Sequence, residues 1–169
     1  MENTILKTKR LRLEIIGDQH QSDLYKLLSN PVVHKYFPKA LDRKEADEFF
    51  AKVQKRYNTD GYSFWAVIRS KDDIFLGICG LLSQIIGGQK ETEVAYRFSD
   101  EFWSNGYATE AASGCIQYAK KKLKLHSIIS LIRSVNLPSI KVAEKNGLKL
   151  EKEIMFQDIP HLVYRINLK

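Results

Sequence analysis

Apolar and polar residues alternate over residues 9–16, with Leu11, Leu13 and Ile15 set against Arg10, Arg12 and Glu14, which predicts a half-buried strand. Asp18 is placed to cap a helix carrying Leu24, Leu27 and Leu28 on one face and stopping at Asn30-Pro31. Asp42 opens a second helix through Phe49, Phe50 and Val53, with Glu45 three residues on as its capping-box partner. Apolar, β-rich runs follow over residues 62–68, 74–86 and 91–98. The turn residues 70–73 and Gly87-Gly88 join them, and Gly77 and Gly80 interrupt the middle run. Three strands on short turns make an antiparallel meander.

The pattern then changes. Ala108, Ala111, Ala112, Cys115, Ala119 and Leu123 recur at helical spacing within residues 106–125. Residues 127–132 form a mostly apolar run broken only by Ser130, as expected of a strand covered on both faces. Asn136 caps a further helix with Pro138 in its first turn and Gly147 at its end. Residues 148–156 and 161–168 close the chain as two strands. No repeat, linker or low-complexity segment divides residues 1–169, so the expectation is one α/β domain.

Composition narrows the function classes without choosing among them. A chain of 169 residues with 44% hydrophobic residues is globular rather than disordered. No window approaches the roughly 20 apolar residues of a membrane helix. The start, Met1-Glu2-Asn3-Thr4, leads into Lys7-Thr8-Lys9-Arg10 with no apolar core, so no secretory signal is expected and the cytosol is the default. Cys79 and Cys115 lie in separate apolar runs, and the four histidines show no metal spacing. The net charge of +7 favours anionic partners, yet Lys120-Lys121-Lys122 and Lys124 read as a solvated helix end, and no pattern of aromatic and basic residues suited to nucleic acid is present.

The sharpest local feature is Glu101-Phe102-Trp103-Ser104-Asn105-Gly106-Tyr107-Ala108-Thr109-Glu110-Ala111. A strand ends, a short polar loop follows, and a helix begins at a glycine. Free N–H groups and the positive end of the helix dipole meet there, with little side-chain bulk to keep a diphosphate away. A plain loop-to-helix junction accounts for the same residues. The lysine of a Walker loop is missing, as is the Rossmann glycine pattern.

The segment from Trp103 to Ala111 resembles the acyl-CoA pyrophosphate loop of the GNAT N-acetyltransferases, most of all the branch of ribosomal-protein N-terminal acetyltransferases. Asn136-Leu137-Pro138-Ser139 and Glu144-Lys145-Asn146-Gly147-Leu148 resemble a second motif of that branch. Weaker similarities are Thr8-Lys9-Arg10-Leu11-Arg12-Leu13, Leu76-Gly77-Ile78-Cys79-Gly80 and Glu93-Val94-Ala95-Tyr96, all in family order. The resemblance implies a GNAT-type domain: a mixed, mostly antiparallel twisted sheet of about seven strands flanked by helices.

It also implies acetyl-CoA as donor and an amine as acceptor, in a monomer or homodimer without nucleic acid or membrane. The backbone of Ser104, Asn105, Gly106, Tyr107, Ala108 and Thr109 would hold the pyrophosphate. The strand edge at Val94, Tyr96 and Phe98 would pair with the pantetheine arm as an added strand, and Asn136 would contact the arm near the thioester. An alkylamine has a pKa near 10 and must lose a proton before it attacks. Glu93 is the first candidate base, and Asp158, in the final turn, is the alternative. Many family members protonate the leaving thiolate with a tyrosine in the helix after the asparagine. Ala143 stands there in this sequence, which leaves Ser139 as the candidate donor.

Overall fold

The alternating runs of the chain form one eight-stranded sheet, described by a computed structural model over residues 3–169. Met1 and Glu2, which open the segment expected to lack a secretory signal, lie outside the described residues. In chain order the elements are β1 (Thr4–Lys7), β2 (Leu11–Ile15), α1 (Gln21–Leu28), α2 (Arg43–Asp60), β3 (Phe64–Arg69), β4 (Ile74–Ile86) and β5 (Gln89–Phe98). These are followed by α3 (Tyr107–Lys121), β6 (Ser127–Ile132), α4 (Leu137–Lys145), β7 (Lys149–Phe156) and β8 (Ile159–Asn167). The strands lie in the order β1-β2-β3-β4-β5-β6-β8-β7. Every neighbouring pair is antiparallel except β5 and β6, which run parallel.

Period-two alternation divides the side chains between the two faces. Trp65, Val67, Cys79, Leu81 and Val94 pack with α3 residues such as Ala111, Ala112 and Cys115. Phe64, Ala66, Ile68 and Ile78 pack instead with Leu24 and Leu28 of α1 and Phe50 and Val53 of α2. A smaller cluster of Ile86, Ile129 and Val163 supports the sheet beyond β5. The capping box is formed as expected: Asp42 Oδ1 accepts from Glu45 N at 2.8 Å, and Glu45 Oε1 accepts from Asp42 N at 3.1 Å.

The structure departs from the sequence expectations in three places. The sheet has eight strands because the N-terminal segment adds β1. A strand this short gives no periodicity to read, and its apolar content is only Ile5 and Leu6. Both pack on the core, and Gly114 of α3 makes room, since a Cβ there would lie 2.9 Å from Leu6 Cδ1. Asp18 is not a cap but the first residue of a 3-10 turn, Asp18–His20, that leads into α1. The helix α3 ends at Lys121, before the left-handed Lys124, although Leu123 and Leu125 still pack on the core. Cys79 and Cys115 meet across the sheet–helix interface with their Sγ atoms 3.7 Å apart, as buried free thiols. Among the described residues, no helix is long and apolar enough to cross a membrane.

Candidate active site

The parallel neighbours β5 and β6 are in register only at Glu93 and Ile129. Beyond that point side chains bridge the strands in place of a backbone ladder. Ser130 Oγ donates to the Val94 carbonyl at 3.3 Å, and the Leu131 N–H donates to Glu93 Oε2 at 3.3 Å. Farther along, the Tyr96 hydroxyl donates to the Ser139 carbonyl in the first turn of α4 at 3.1 Å. The strands open into a cleft of about 360 Å³, walled by α2, residues 36–38, the start of α4 and the β7–β8 hairpin. That volume lies within the range of small-molecule sites.

Five of the expected site residues line this cleft: Glu93, Val94, Tyr96, Asn136 and Ser139. Asn136 is also the N-cap of α4, accepting from Ser139 N at 3.3 Å, which fixes the first turn carrying Ser139. Ala143, where a tyrosine was absent from the expected pattern, is buried in the core.

Glu93 is only 8% exposed and accepts from two neutral donors, the Leu131 amide and Gln84 Nε2 at 3.0 Å. Burial raises its carboxyl pKa to about 7, against the lowering effect of these two hydrogen bonds and of the Arg56 and Arg97 charges. It is thus a carboxyl group poised to exchange a proton near neutral pH inside a cleft. Burial also raises the Tyr96 phenol well above its ordinary value, so it stays protonated and can donate.

A second constellation lies where β5 hands over to α3. Ser104 and Gly106 both adopt left-handed backbone, with φ of 64° and 79°, and turn the chain into the helix. The Asn105 side chain donates to the carbonyls of Phe102 and Trp103, at 3.0 and 2.9 Å, and pins the loop. Thr8 and Arg10 tie the helix start to the β1–β2 corner. The Thr8 hydroxyl and the Arg10 main-chain N–H both donate to Glu110 Oε2, at 2.5 and 2.8 Å. Arg10 Nε donates to Glu110 Oε1 at 2.6 Å, Nη1 reaches the Asn105 carbonyl at 3.0 Å, and the guanidinium stacks 4.4 Å from the centre of the Tyr107 ring. Burial raises the Glu110 carboxyl, but these donors outweigh it and hold the pKa below the ordinary value.

The loop suits a diphosphate on a test of its own geometry. The first N–H groups of α3 lack intrahelical acceptors. A Cβ on Gly106 would meet no atom closer than Arg10 Nη2 at 3.5 Å, so the space beside it is open. A guanidinium stands at its edge.

The acetyltransferase (GNAT) domain profile matches residues 10–149. The chain belongs to the GNAT acetyltransferase family. The uncharacterized protein YkkB of Bacillus subtilis is 35% identical over 95% of this chain and 94% of its own length. YnaD of the same organism, described as an uncharacterized N-acetyltransferase, is 27% identical over 86% and 83%. The fold matches a crystal structure of an acetyltransferase from Agrobacterium tumefaciens with a TM-score of 0.85, at 22% identity and covering 98% and 95% of the two chains. The GNAT domain here is an α/β fold with a mixed eight-stranded sheet, and enzymes of this family draw their acetyl group from acetyl-CoA.

Not every expected site residue of this GNAT enzyme meets in the cleft. Asp158 is an exposed turn residue with φ of 63°; its neighbours Gln157 and Ile159 line the cleft, but Asp158 does not. Phe98 lies in the core, and its strand edge leads toward the loop at 104–109. Sequence reasoning passed over Arg97, whose guanidinium lies 4.1 Å from the Phe37 ring centre and meets His34 Nε2 at 3.0 Å. Its position was readable, two residues on from Ala95 on the face of Glu93, but its burial was not.

The raised pKa of Glu93 makes fold stability depend on pH. The wild-type site contributes most below pH 4.5, and that contribution is lost as pH rises through about 7. Glu93→Gln does not titrate, so its stability relative to wild type should climb between those values by on the order of 3 kcal/mol and then level off. Urea melts of both proteins at pH 4.5, 6, 7 and 8.5 check this; a difference that stays flat with pH contradicts the raised value.

Proposed function

We propose that the protein transfers an acetyl group from acetyl-CoA directly to an amine, with both substrates bound at once, and that Glu93 is the base. The observation that carries this reading is a buried carboxyl group, with its pKa lifted to about 7, at the apex of the opening between β5 and β6. A domain that only sensed coenzyme A would have no use for such a group, whose ionisation burial opposes.

When bound, acetyl-CoA supplies an acetyl group activated as a thioester. The backbone of residues 104–109 would hold its diphosphate, with the Arg10–Glu110 pair fixing the helix start. The main-chain edge at Val94, Tyr96 and Phe98 would pair with the pantetheine arm as an added strand, and Asn136 would meet the arm from α4. Glu93 takes the proton of the acceptor ammonium, directly or through water, so that a neutral amine attacks. The similarity of segments 103–111 and 136–148 to the ribosomal-protein branch supports an α-amine as acceptor, and the size of the cleft supports a small one. Residues 1–169 would act as one cytosolic acetyltransferase domain.

The test of the base is kinetic. Turnover of wild type should rise with pH through about 7, and Glu93→Gln should lower kcat by about 10²–10⁴-fold with little change in acetyl-CoA affinity. Arg56 from α2, Arg97 from β5, and Arg133 and His161 at the far wall face the same cleft and form the electrostatic surroundings of that titration. Full activity in Glu93→Gln, together with its loss in Asp158→Asn, moves the base to the turn.

The test of the cradle is binding. Gly106→Val imposes a branched side chain on a left-handed residue and pushes it into the open space, so coenzyme A affinity should fall at least tenfold, or about 1.4 kcal/mol. Unchanged calorimetric binding in a folded variant places the diphosphate elsewhere.

We propose Ser139 as proton donor to the departing sulfur. A thiolate with a pKa near 8.5 leaves without much help, so Ser139→Ala should slow single-turnover transfer by about tenfold to a hundredfold rather than abolish it. The Asn136 cap bonds the Ser139 main-chain N–H, not its hydroxyl, so the helix should survive the change. A wild-type chemical step in Ser139→Ala shifts attention to the Tyr96 hydroxyl, 3.1 Å from the Ser139 carbonyl.

A further inference from the structure

The cleft is lined by four cationic side chains, Lys52, Arg56, Arg97 and Arg133, and by one carboxylate, Glu93. Across the whole chain the ratio is 27 basic to 20 acidic residues, so the overall charge does not explain this imbalance. Among the described residues none of the four cations makes an ion pair. Arg56 Nη1 donates to the Ser83 carbonyl at 3.3 Å, and Arg133 Nη1 to the Tyr36 carbonyl at 3.1 Å. Each guanidinium carries five N–H donors, so most remain for a ligand.

Arg97 is the most telling of the four. Its guanidinium is packed against Phe37 and Phe49, at 4.1 and 5.2 Å from the ring centres. Its polar neighbour is a neutral imidazole: His34 Nδ1 donates to the Asn30 carbonyl at 3.0 Å, which leaves Nε2 to accept from Arg97. Burial lowers the Arg97 pKa to about 10, so it stays charged at neutral pH. A partly buried cation that faces rings and a neutral acceptor, with no ion-pair partner, suits an incoming anion.

We propose that the amine acceptor carries an anionic group, a carboxylate or a phosphate, which Arg56, Arg97 and Arg133 hold while its amine faces Glu93. This inference rests on the reading of the cleft as the acceptor site. It names amino acids and amino phosphates as the substrate class and disfavours polyamines, whose second charge would meet the same guanidiniums. The geometry also separates the acceptor's two ends. Glu93 accepts from neutral donors at the apex, and Arg97 stands four residues along the same face of β5.

The experiment measures acetyl transfer by the full chain with acceptor pairs that differ only in the anion. The pairs are glutamate against glutamine α-amide, and phosphoethanolamine against ethanolamine, compared at equal concentrations of free amine; spermidine is the cationic member. The acid of at least one pair should be used with kcat/KM at least tenfold above its neutral counterpart and above spermidine, and which pair shows it tells carboxylate from phosphate. Arg56→Glu and Arg97→Met should raise KM for the acid tenfold or more and narrow that gap, while acetyl-CoA Kd by calorimetry stays within twofold. Should Arg97→Met fail to fold, Arg56→Glu alone decides, because Arg56 gives up a single hydrogen bond, to the Ser83 carbonyl, whereas Arg97 also packs on two rings. Equal use of acid and neutral amines, or preference for spermidine, overturns this proposal and leaves the acetyltransferase reading standing. A tenfold loss of acetyl-CoA affinity in Arg56→Glu also overturns it, by assigning these cations to the donor's phosphates. Binding of acetyl-CoA without transfer to any amine overturns the enzymatic reading and this proposal with it.

Discussion

The site depends on one geometric constraint: β5 and β6 are parallel and pair only at Glu93 and Ile129. A sheet that opens in its middle leaves main-chain donors and acceptors that must be satisfied by something else. Ser130 and Glu93 supply side-chain partners next to the apex, and Tyr96 spans to α4 farther out. The unladdered edge beyond them is where an extended ligand can add itself to the sheet. The burial that raises the Glu93 pKa is a consequence of the same opening, because the apex is enclosed by the strands on both sides. The open strand edge and the buried Glu93 carboxyl therefore arise from one defect in one ladder.

A second constraint keeps the loop at residues 104–109 in step with that opening. The loop and α3 follow β5 directly, so their distance from the apex is set by the strand; their angle is set by Glu110. That carboxylate takes two bonds from Arg10 and one from Thr8, three donors from the β1–β2 corner at the opposite end of the sequence. Asn146 at the end of α4 donates to the Thr109 carbonyl at 3.3 Å and ties the second helix of the site to the same start. The weak resemblance at Thr8 to Leu13 thus has a physical meaning. It marks the residues that hold the helix start rather than a strand alone.

Much of this was readable from local pattern. The meander, the Asp42 capping box, the Asn136 cap and the left-handed Gly147 just past α4 all follow from short-range chemistry, and all are formed. Tyr36, Phe37, Phe49, Lys52 and Arg56 bring the early part of the chain to the cleft wall. What escaped the sequence is long-range. β1 is four residues, and its Leu6 fits against α3 because Gly114, distant in the chain, leaves room for it. Glu93 and Asp158 were first candidate and alternative in one dimension; burial separates them, leaving Asp158 in a solvated turn and Glu93 enclosed by two strands. Arg97 looked like an ordinary outward residue of a strand, because nothing local announces that Phe37, Phe49 and His34 close over it.

The separation of Glu93 from its cations explains how one cleft can hold both the base and the anion site proposed for it. Asp72, which meets Arg69 at 2.7 Å, and Glu151, which meets Arg165 at 2.8 Å, have carboxyl pKa values held below the ordinary value by those guanidiniums. A carboxylate so held is a poor acceptor for a proton at neutral pH. Glu93 is spared this fate because its hydrogen bonds come from an amide side chain and a main-chain N–H, while Arg56 and Arg97 act on it only through space. Desolvation then prevails over charge attraction, and the pKa rises instead of falling. Moving Arg97 into direct contact with Glu93 would satisfy both charges and disable both proposed roles, so the proposed chemistry requires each to stay unpaired.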